Sequence, residues 1–548
     1  MTILTIPKKR FEKDIGKIDD SMQDRIAMFG TPVEYVNDEE IAIEIFPNRP
    51  DLLAYQNYKF SFLSFLGKNT GLKKLNINKP EKNYQVIIDK YVKDVRPYTV
   101  CAVVKNLKFD DEKIKEIIDI QEKLHLTLGR KRKKAAIGIY PMEKIKLPIS
   151  YEAKNPKDVK FIPLEETREM NGLQILQRNS TGREYAYLLE GMDKYPFFID
   201  ANNEIMSMPP IINSDKTGKI SIDTKEIFIE CSGFDINTLN KILNILCFAF
   251  AEIGGKVYQM NLKYGGKTIV SPNVEPVKMK LSLENTNKML GLKLKENDVK
   301  KLLEKMGYSY SSGNVLVPAY RNDVLHEVDL IEDVAIAYGY DNFVPGIPEI
   351  STSGEINNKE IFKEKISEIL IGLGLLETSS YHLTTKEFQL NKINKKHEVI
   401  EIKDSKTEYN ILRNDLSHYL FKIFYENSDV EYPQDIFQIG KVFILDNKDI
   451  KEEERLAIGL APGNFTRLKQ ISDYLGNNLG KDFSFSIPKS FPEQFVEGRV
   501  AEINLDGKAL GYFGEVHPKI LKNFKIKMPV ALLEINIEKL FEAIHNKS

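Results

Sequence analysis

Cysteine is scarce in this sequence, and its spacing excludes two common uses of the residue. Only Cys101, Cys231 and Cys247 occur among 548 residues, and no two of them lie close together. A Cys-x-x-Cys metal or redox site is therefore excluded, and the low count favours a protein of the reducing cytoplasm. Each cysteine stands in an apolar stretch, so we expect all three to be small core residues.

Long hydrophobic runs are also missing. The longest, Ile242 to Ala251, contains Asn244 and is far shorter than the roughly 20 residues that a membrane-spanning helix needs. The stretch Met1 to Ile6 is followed at once by a basic cluster, a pattern without signal-peptide character. We therefore expect a soluble protein with no membrane partner.

An excess of charge of one sign is absent as well. Lysine and arginine number 78 against 79 aspartate and glutamate residues, which gives a formal net charge of -1. Proteins that coat nucleic acid indiscriminately neutralise phosphates with a net basic surface, so the balance argues against that class. Any contact with RNA has to come from a local patch.

Chain length and breaks in the pattern predict four domains. A chain of 548 residues is too long for a single core. Residues 73–82 are polar and contain Pro80, and later breaks follow Gly265 and the segment Pro345 to Pro348. The expected domains span 1–75, 84–268, 274–347 and 352–548.

Within these domains the patterns predict α/β and α+β architectures. Expected strands include 40–46, 100–104 and 227–230, and expected helices include 114–124 and 236–253. Residues 274–347 combine a helix, a short strand pair and a second helix, which is typical of a winged-helix-like module. DNA binding does not fit this module, because its second helix would present carboxylates to phosphates.

The stretch from Val317 to Gly339 organises the interpretation of the whole chain. The short extended run before Pro318 is typical of the end of a strand, and the segment Glu327 to Tyr338 has a helical pattern that Gly339 ends. We expect one face of this helix to be apolar. Its members are Val328, Ile331, Val334, Ala335 and Tyr338.

Four carboxylates crowd this stretch. At about 100° per residue, Asp329, Glu332 and Asp333 share one helix face, and Asp323 can fold back beside them. One interpretation is an acidic first turn that complements the helix dipole by a few tenths of a kcal/mol per charge. Like charges four residues apart cost about as much, so crowding gains little unless a cation is present. Mg²⁺ is the natural candidate, because it takes carboxylate oxygens and water as ligands.

The amino-acid sequence of this stretch favours the metal interpretation. The segment Arg321 to Asn342 closely resembles the signature of phenylalanyl-tRNA synthetase beta subunits of the archaeal and eukaryotic type. The resemblance implies an Mg²⁺ site shared with an alpha subunit. Its implied ligands are Asp323, Asp329, Glu332 and Asp333.

A run of five basic residues follows Gly129. Its members are Arg130, Lys131, Arg132, Lys133 and Lys134. A charge run of this kind is most often a solvated turn. Beside a tRNA it would instead hold phosphates, and the glycine turn would let backbone N–H groups join in. The resemblance favours tRNA binding by this run.

Two further segments, Ile205 to Asp215 and Ile229 to Gly233, resemble the editing domain of the same family. The resemblance implies hydrolysis of tyrosine that has been joined by mistake to phenylalanine tRNA. Such hydrolysis needs a positioned water, a group that polarises or deprotonates it, and donors for the oxyanion. The candidates are Glu230, Ser207, Ser232 and His125.

Each candidate also has a purely structural interpretation. Ser207 can cap the Pro-Pro turn, Ser232 can serve a tight turn, and His125 can be a satisfied helix residue. Glu230 and Ser232 stand where the family commonly has Asp and Thr, and Tyr140 stands where His follows Ile-Gly-Ile. One extra methylene can move a carboxylate by about an ångström, enough to cost roughly a hundredfold in rate. The activity of the pocket stays open at this point.

The last domain resembles the antiparallel catalytic fold of class II synthetases. We expect a helix that ends at Gly372 to Gly374 and a strand at 378–382. An ATP site in this class needs two arginines on neighbouring strands, whereas Arg413 and Arg499 are isolated in the sequence. The resemblance therefore implies a domain that is degenerate and silent in chemistry, with ATP and phenylalanine activated on the partner.

The resemblance implies one subunit of an aminoacyl-tRNA ligase. The expected partners are tRNA and an alpha subunit, in an assembly of two alpha and two beta chains. A second, hydrolytic site is reasonable, because an apolar pocket built for phenylalanine discriminates weakly against one added hydroxyl. The alternative is a non-catalytic RNA-binding scaffold without editing activity.

Overall fold

The computed structural model describes residues 2–447 and 449–545. The chain forms two compact units, Met1–Ile347 and Pro348–Ser548. Within the described residues, no helix is both long enough and apolar enough to cross a bilayer. Secondary structure is mixed α/β in both units, as the sequence predicted.

The first unit begins with a small sheet in the order β1-β3-β2. All its pairings are antiparallel, and β3 is buried along almost its whole length, which explains its near-continuous apolar sequence. A short 3-10 turn, Pro50–Leu53, leads into the long helix. The elements are β1 (Thr2–Pro7), α1 (Lys8–Asp14), α2 (Asp20–Met28), β2 (Val33–Val36), β3 (Glu40–Ile45) and α3 (Tyr55–Phe65).

A mixed sheet of eleven strands forms the middle of this unit. Its elements are β4 (Ile77–Asn78), β5 (Gln85–Ile88), β6 (Tyr98–Lys105), α4 (Asp111–Leu126), β7 (Ala135–Pro141), β8 (Ile149–Lys154), β11 (Tyr195–Ile199), β12 (Ile205–Met208), β13 (Ile212–Asn213), α7 (Asp215–Gly218), β14 (Ile227–Gly233), α8 (Ile236–Glu252), β15 (Lys256–Tyr264) and β16 (Lys267–Ser271), with the excursion β9 (Lys160–Phe161), β10 (Met170–Asn171), α5 (Gly172–Arg178) and α6 (Ser180–Tyr185). The path through the sheet is β13-β12-β11-β8-β5-β15-β6-β14-β7.

Strand β14 lies between β6 and β7, next to the end of the strand path, and carries two of the candidate residues. It pairs antiparallel with β6 on one side and β7 on the other, so that Glu230 lies opposite Cys101 and Gly138. All seven of its residues are buried. Helix α8 starts directly after it, where the Asp235 side chain accepts hydrogen bonds from the first-turn N–H groups.

The first unit ends with a three-stranded antiparallel sheet and three helices. The elements are β17 (Val277–Lys280), α9 (Leu283–Leu290), α10 (Glu296–Lys305), β18 (Ser309–Ser311), β19 (Asn314–Val317) and α11 (Glu327–Tyr338), with strand order β17-β19-β18. Helix α11 ends at Gly339, whose φ of 93° suits glycine, as the sequence predicted. Val328 belongs to the predicted apolar face but is 41% exposed, so that face is only partly buried.

A large hydrophobic core runs through the first unit, from Leu4 to Ala337, and a smaller cluster from Val159 to Ile211 lies beside the excursion. The segments predicted as three domains therefore share their packing. The predicted linker at 73–82 contributes to it, because β4 pairs in parallel with β15.

The second unit is built on a seven-stranded sheet in the order β20-β23-β24-β28-β27-β26-β25. Every pairing is antiparallel except that of β20 with β23. The elements are α12 (Asn358–Gly372), β20 (Leu376–Glu377), β21 (Leu383–Thr384), β22 (Ile411–Leu412), α13 (Ser417–Glu426), β23 (Gln434–Asp446), β24 (Asp449–Ala461), α14 (Phe465–Asn478), β25 (Ser484–Ser486), β26 (Phe495–Leu505), β27 (Lys508–Val516), α15 (Pro518–Asn523), β28 (Ala531–Asn536) and α16 (Ile537–His545).

One local prediction in this unit is wrong. The strand expected at 378–382 is not formed, and two short strands, Leu376–Glu377 and Leu383–Thr384, flank the segment. Thr378 still donates a backbone hydrogen bond to the Phe437 carbonyl. Farther along, the Ser380 side chain bonds the Gln438 side chain.

Candidate functional site

A cavity of about 200 Å³ lies where β7, β12, β13, β14 and α4 meet. It brings together three of the four residues predicted for hydrolysis, Glu230, Ser207 and His125. Arg132 of the basic run and Asn213 also line it. The three residues come from α4, β12 and β14, elements that are far apart in the sequence.

The Tyr140 side chain connects the polar groups of this cavity. Its hydroxyl lies 2.8 Å from Ser207 Oγ, 3.3 Å from Asn213 Oδ1 and 3.4 Å from Glu230 Oε1. Tyr140 is fully buried, and its ring packs against Phe228 with centroids 5.9 Å apart. In the sequence, Tyr140 stood out only as a difference from the usual family sequence. Its hydrogen-bonding role depends on β12 and β13, which no local pattern links to β7.

Gly138 makes room for this arrangement. A Cβ atom at this position would lie 2.3 Å from the Tyr140 hydroxyl and 2.5 Å from Glu230 Oε1. Both distances are far below van der Waals contact, so any larger residue would displace the two side chains. Glycine is required here for space, since its backbone is in an ordinary strand conformation.

Glu230 is a buried carboxyl with an incomplete set of partners. Burial raises its pKa to about 8, while the Arg96 charge and hydrogen bonds from Tyr140 and Ser232 oppose that rise. Its Oε2 atom is buried and has no hydrogen-bond partner among the described residues. At neutral pH the protonated form therefore predominates, and this carboxyl can donate as well as accept a hydrogen bond.

Ser232 is not among the residues that line the cavity. Its Oγ accepts a hydrogen bond from Arg96 Nε at 3.1 Å, and its carbonyl oxygen accepts one from Arg96 Nη2 at 2.6 Å. Arg96 is itself buried, so the Ser232 hydroxyl orients a cation whose charge acts on Glu230. Sequence reasoning missed Arg96, because a single arginine before a strand carries no signal of burial.

His125 forms part of the cavity wall with both ring nitrogens engaged. Nε2 accepts the backbone N–H of Ile137 at 2.8 Å, and Nδ1 lies 3.2 Å from Glu122 Oε1. Nδ1 therefore carries the proton, and burial lowers the pKa of the ring. Neither nitrogen is free to take a proton from water, which favours the structural interpretation of this residue.

The predicted basic run forms a tight turn between α4 and β7. Arg130, Lys131 and Arg132 have φ values of 47°, 53° and 63°, three successive residues in the left-handed region. Each costs a non-glycine residue about 1 kcal/mol or more. Four side chains of the run are exposed, and Arg132 is partly buried.

Arg132 differs from its neighbours because its guanidinium turns into the cavity. It donates to the Ile211 carbonyl at 2.8 Å and to Glu122 Oε1 at 3.1 Å, and it lies 4.4 Å from the centre of the Tyr185 ring. Its charge is thus engaged within the protein. The exposed cations of the run, Arg130, Lys131, Lys133 and Lys134, remain available to a partner.

The acidic cluster on and before α11 is held by an arginine. Arg321 donates to both carboxylate oxygens of Asp323, at 2.8 and 2.6 Å, and to Asp333 Oδ2 at 2.7 Å. Its side chain is 2% exposed. Burial alone would lower the pKa of Arg321, but Asp333, Tyr308 and Asp323 raise it well above its ordinary value. Tyr308 also donates a hydrogen bond to Asp333.

The other two predicted ligands have separate roles. Asp329 Oδ2 accepts the backbone N–H groups of Leu325 and His326, both at 2.7 Å, and so fixes the start of α11. Glu332 is exposed and makes no hydrogen bond to any described residue. Burial and the neighbouring carboxylates raise its pKa.

These contacts test whether the four carboxylates fit Mg²⁺. Arg321 occupies the space between Asp323 and Asp333, and Asp329 is turned towards the backbone. Among the residues that the structure describes, no three His, Cys, Asp or Glu side chains are grouped to hold a metal ion. The arrangement within this chain therefore does not fit the predicted ion.

The arginines of the second unit are engaged in the fold. Arg413 is buried and donates to the Lys441 carbonyl at 2.6 Å and to Ser380 Oγ at 2.9 Å. Arg499 is exposed and pairs with Glu515. Neither is part of an arginine pair that could grip a triphosphate.

Comparisons with known proteins agree across the chain. A family model described as the phenylalanyl tRNA synthetase beta chain CLM domain matches residues 345–537. A second, described as the tRNA synthetase B5 domain, matches residues 279–340. These two segments contain the sheet of the second unit and helix α11, respectively.

Similar whole proteins carry one name. The phenylalanine–tRNA ligase beta subunit of Archaeoglobus fulgidus is 35% identical over 551 residues, covering 99% of both chains. That of Pyrococcus furiosus is 37% identical over 506 residues, covering 90% of both. A crystal structure of an N-terminal fragment of the Pyrococcus horikoshii subunit covers 62% of this chain and 99% of its own, at 35% identity and a TM-score of 0.59. The chain therefore belongs to the family of archaeal-type phenylalanyl-tRNA synthetase beta subunits.

Proposed function

We propose that this chain works in phenylalanyl-tRNA synthesis as the non-activating subunit of a two-subunit ligase. The observation that carries the proposal is similarity to named beta subunits over 99% of the chain. The engaged Arg413 and Arg499 support a second unit without ATP chemistry of its own. Activation of phenylalanine by ATP then takes place on an alpha subunit, in an assembly of two alpha and two beta chains in the cytoplasm.

Co-expression with the alpha subunit of the same organism tests this proposal. We expect the two chains to co-purify and the complex, but neither chain alone, to attach phenylalanine to its tRNA. Aminoacylation by the alpha subunit at an undiminished rate without this chain would contradict the proposal.

The cavity around Glu230 is the proposed site of hydrolysis of tyrosine from mischarged phenylalanine tRNA. Glu230 presents an unpaired Oε2 atom, and Ser207 supplies a hydroxyl next to it. Either group can bond the attacking water or the developing oxyanion. We assign His125 and Ser232 a positioning role, because both are already bonded to protein groups.

This assignment is tested with the alpha–beta complex and tyrosine-mischarged phenylalanine tRNA. We expect Glu230→Ala to slow deacylation by a hundredfold or more, as loss of one key polar group does in other acyl-transfer sites. Glu226→Ala, a change to a less buried glutamate just before the same strand, is the matched control. Equal deacylation by both variants would remove Glu230 from the site.

One observation favours the alternative of a scaffold without editing. The cavity, about 200 Å³, is smaller than the ~300 Å³ of typical small-molecule sites. Tyr140 occupies part of the space beside Glu230. If the wild-type complex leaves mischarged tRNA intact while it aminoacylates normally, the scaffold alternative holds.

The exposed cations of the basic turn are proposed to contact the tRNA backbone. Arg130, Lys131, Lys133 and Lys134 project from a turn whose remaining member, Arg132, lines the cavity. Replacement of all four by Gln should weaken tRNA binding and reduce the slope of log Kd against log salt by about 3 to 4. Lys300→Gln with Lys301→Gln, on the exposed side of α10, is the control, with no such change expected.

For the acidic cluster, we propose a structural role with Arg321 as the internal cation. Of the four predicted Mg²⁺ ligands, Glu332 alone has no protein partner among the described residues, and one carboxylate makes a weak site. Isothermal titration of the complex with Mg²⁺ tests this. Asp329→Asn with Glu332→Gln should leave the number of bound ions unchanged, and loss of a tight site would restore the metal interpretation.

A further inference from the structure

The hydrogen bonds around Tyr140 have a direction. A tyrosine hydroxyl has one proton to donate and two lone pairs to accept with. Its shortest contact is with Ser207 Oγ at 2.8 Å, and the contact with Glu230 Oε1, at 3.4 Å, is longer. Tyr140 therefore donates its proton chiefly to Ser207, while Asn213 Oδ1 and Glu230 Oε1 are more distant acceptors, at 3.3 and 3.4 Å.

This direction decides where the Ser207 proton points. Ser207 Oγ makes its one hydrogen bond to a described residue with Tyr140, as the acceptor. Ser207 is 1% exposed and lines the cavity. With one lone pair occupied by Tyr140, its own O–H is free to donate to whatever fills the cavity.

We propose that Tyr140 is a positioning residue that holds the Ser207 hydroxyl as a hydrogen-bond donor to the ester carbonyl of the substrate. The inference rests on the proposed editing function. It concerns Tyr140, a residue at which this sequence differs from the usual sequence of the family. Tyr140 itself need not touch the substrate, since it acts through Ser207. The contact from the same hydroxyl to Glu230 Oε1 is longer, at 3.4 Å, so Ser207 is its main acceptor.

In the reaction, water adds to the ester carbonyl carbon and the bond from that carbon to the tRNA ribose oxygen breaks. Negative charge collects on the former carbonyl oxygen, where the Ser207 O–H stabilises it. The water proton ends on the ribose oxygen, so tyrosine and uncharged tRNA are released without any other reactant. Ser207 keeps its proton throughout, which distinguishes this role from that of a nucleophile or base.

The geometry also separates this role from simple packing. The Tyr140 ring fills space beside Gly138 and Phe228, and phenylalanine would fill it equally. Only the hydroxyl reaches Ser207. Tyr140→Phe therefore removes the hydrogen bond and leaves the packing.

The test uses single-turnover deacylation of tyrosine-mischarged tRNA by the alpha–beta complex. We expect Ser207→Ala to lower the rate constant about a hundredfold and Tyr140→Phe about tenfold or more, with the half-saturating enzyme concentration unchanged within twofold. The double variant should be no slower than Ser207→Ala alone, because Tyr140 acts through Ser207. Tyr58→Phe, at another fully buried tyrosine, is the control, with wild-type deacylation expected.

The outcomes are distinguishable. A wild-type complex that does not deacylate contradicts the proposed editing function itself. A wild-type complex that deacylates, together with Tyr140→Phe at wild-type rate or with single effects that multiply in the double variant, overturns the role of Tyr140. If Tyr140→Phe does not assemble with the alpha subunit, the same cycle is run with Tyr140→His, and multiplying effects again overturn the proposal.

Discussion

Replacement of Arg321 by methionine tests the finding that the acidic cluster is neutralised from within the chain. The change keeps an unbranched side chain but removes the guanidinium that bonds Asp323 and Asp333. Their side chains are 13% and 6% exposed, so two carboxylates would be left close together with little water. Removal of one partner from a buried ion pair typically costs about 3–5 kcal/mol.

The loss should be local to α11 and the strands that face it. Hydrogen exchange followed by mass spectrometry measures this, because exchange of protected amides reports the free energy of local opening. We expect peptides from 314–338 to exchange about two to three orders of magnitude faster in Arg321→Met, which corresponds to the lower part of that range. Lys216→Met breaks an exposed pair with Glu204 in the same unit and should change nothing measurable.

The ion-pair and metal interpretations predict opposite effects of EDTA and Mg²⁺ on hydrogen exchange. If Arg321 is the cation of the cluster, EDTA and millimolar Mg²⁺ should leave exchange of the wild-type peptides unchanged. Equal protection in wild type and Arg321→Met would refute the role of the arginine. Wild-type protection that EDTA abolishes to the level of Arg321→Met would show that a metal supplies the charge instead.

Three further outcomes follow from the geometry. Gly138→Ala should slow deacylation and destabilise the first unit by about 1–3 kcal/mol through overpacking, measured by urea denaturation, while Gly266→Ala, with open space around it, should not. Between about pH 4.5 and pH 8, Glu230 holds a proton in the folded protein that it has lost in the unfolded chain. The free energy of unfolding of the wild type should therefore fall with rising pH relative to that of Glu230→Gln. Parallel pH profiles of the two proteins would contradict the raised pKa. Asp333→Asn should speed exchange in α11 less than Arg321→Met does, because Arg321 keeps its two bonds to Asp323; a larger effect would place the main interaction elsewhere.

The sequence predicted best where the determinants are local. Helix α11 was predicted with its observed bounds, because its periodic pattern is followed by a glycine that ends it. Strand β14 and helix α8 were likewise predicted within three residues at either end, since a short apolar run followed by a capping Asp235 is a local pattern. The strand predicted at 378–382 is not formed, because a local pattern does not show whether a neighbouring strand will pair with the segment.

The sequence predicted which residues line the site but not which hydrogen bonds connect them. Glu230, Ser207 and His125 do meet at one cavity, but the groups that set their chemistry, Tyr140 and Arg96, come from other strands and loops. These partners are fixed by the register of the sheet, which a single sequence does not encode at short range.

The same limit explains the acidic cluster. Arg321 lies two residues before Asp323 and is the first residue of the signature segment. Spacing along a helix shows which carboxylates share a face, but it does not reveal that Arg321 folds between Asp323 and Asp333. The crowded carboxylates indicated a cation, which the sequence suggested to be Mg²⁺, and in the structure the guanidinium of Arg321 bonds two of them.

The most direct test measures how much tyrosyl-tRNA accumulates when the alpha–beta complex is given tyrosine, ATP and phenylalanine tRNA. We expect wild-type complex to accumulate almost no tyrosyl-tRNA and Glu230→Ala to accumulate it steadily, with phenylalanine attachment equal in both. Equal, low accumulation of tyrosyl-tRNA by the two complexes would contradict the claim that the Glu230 cavity is a hydrolytic site.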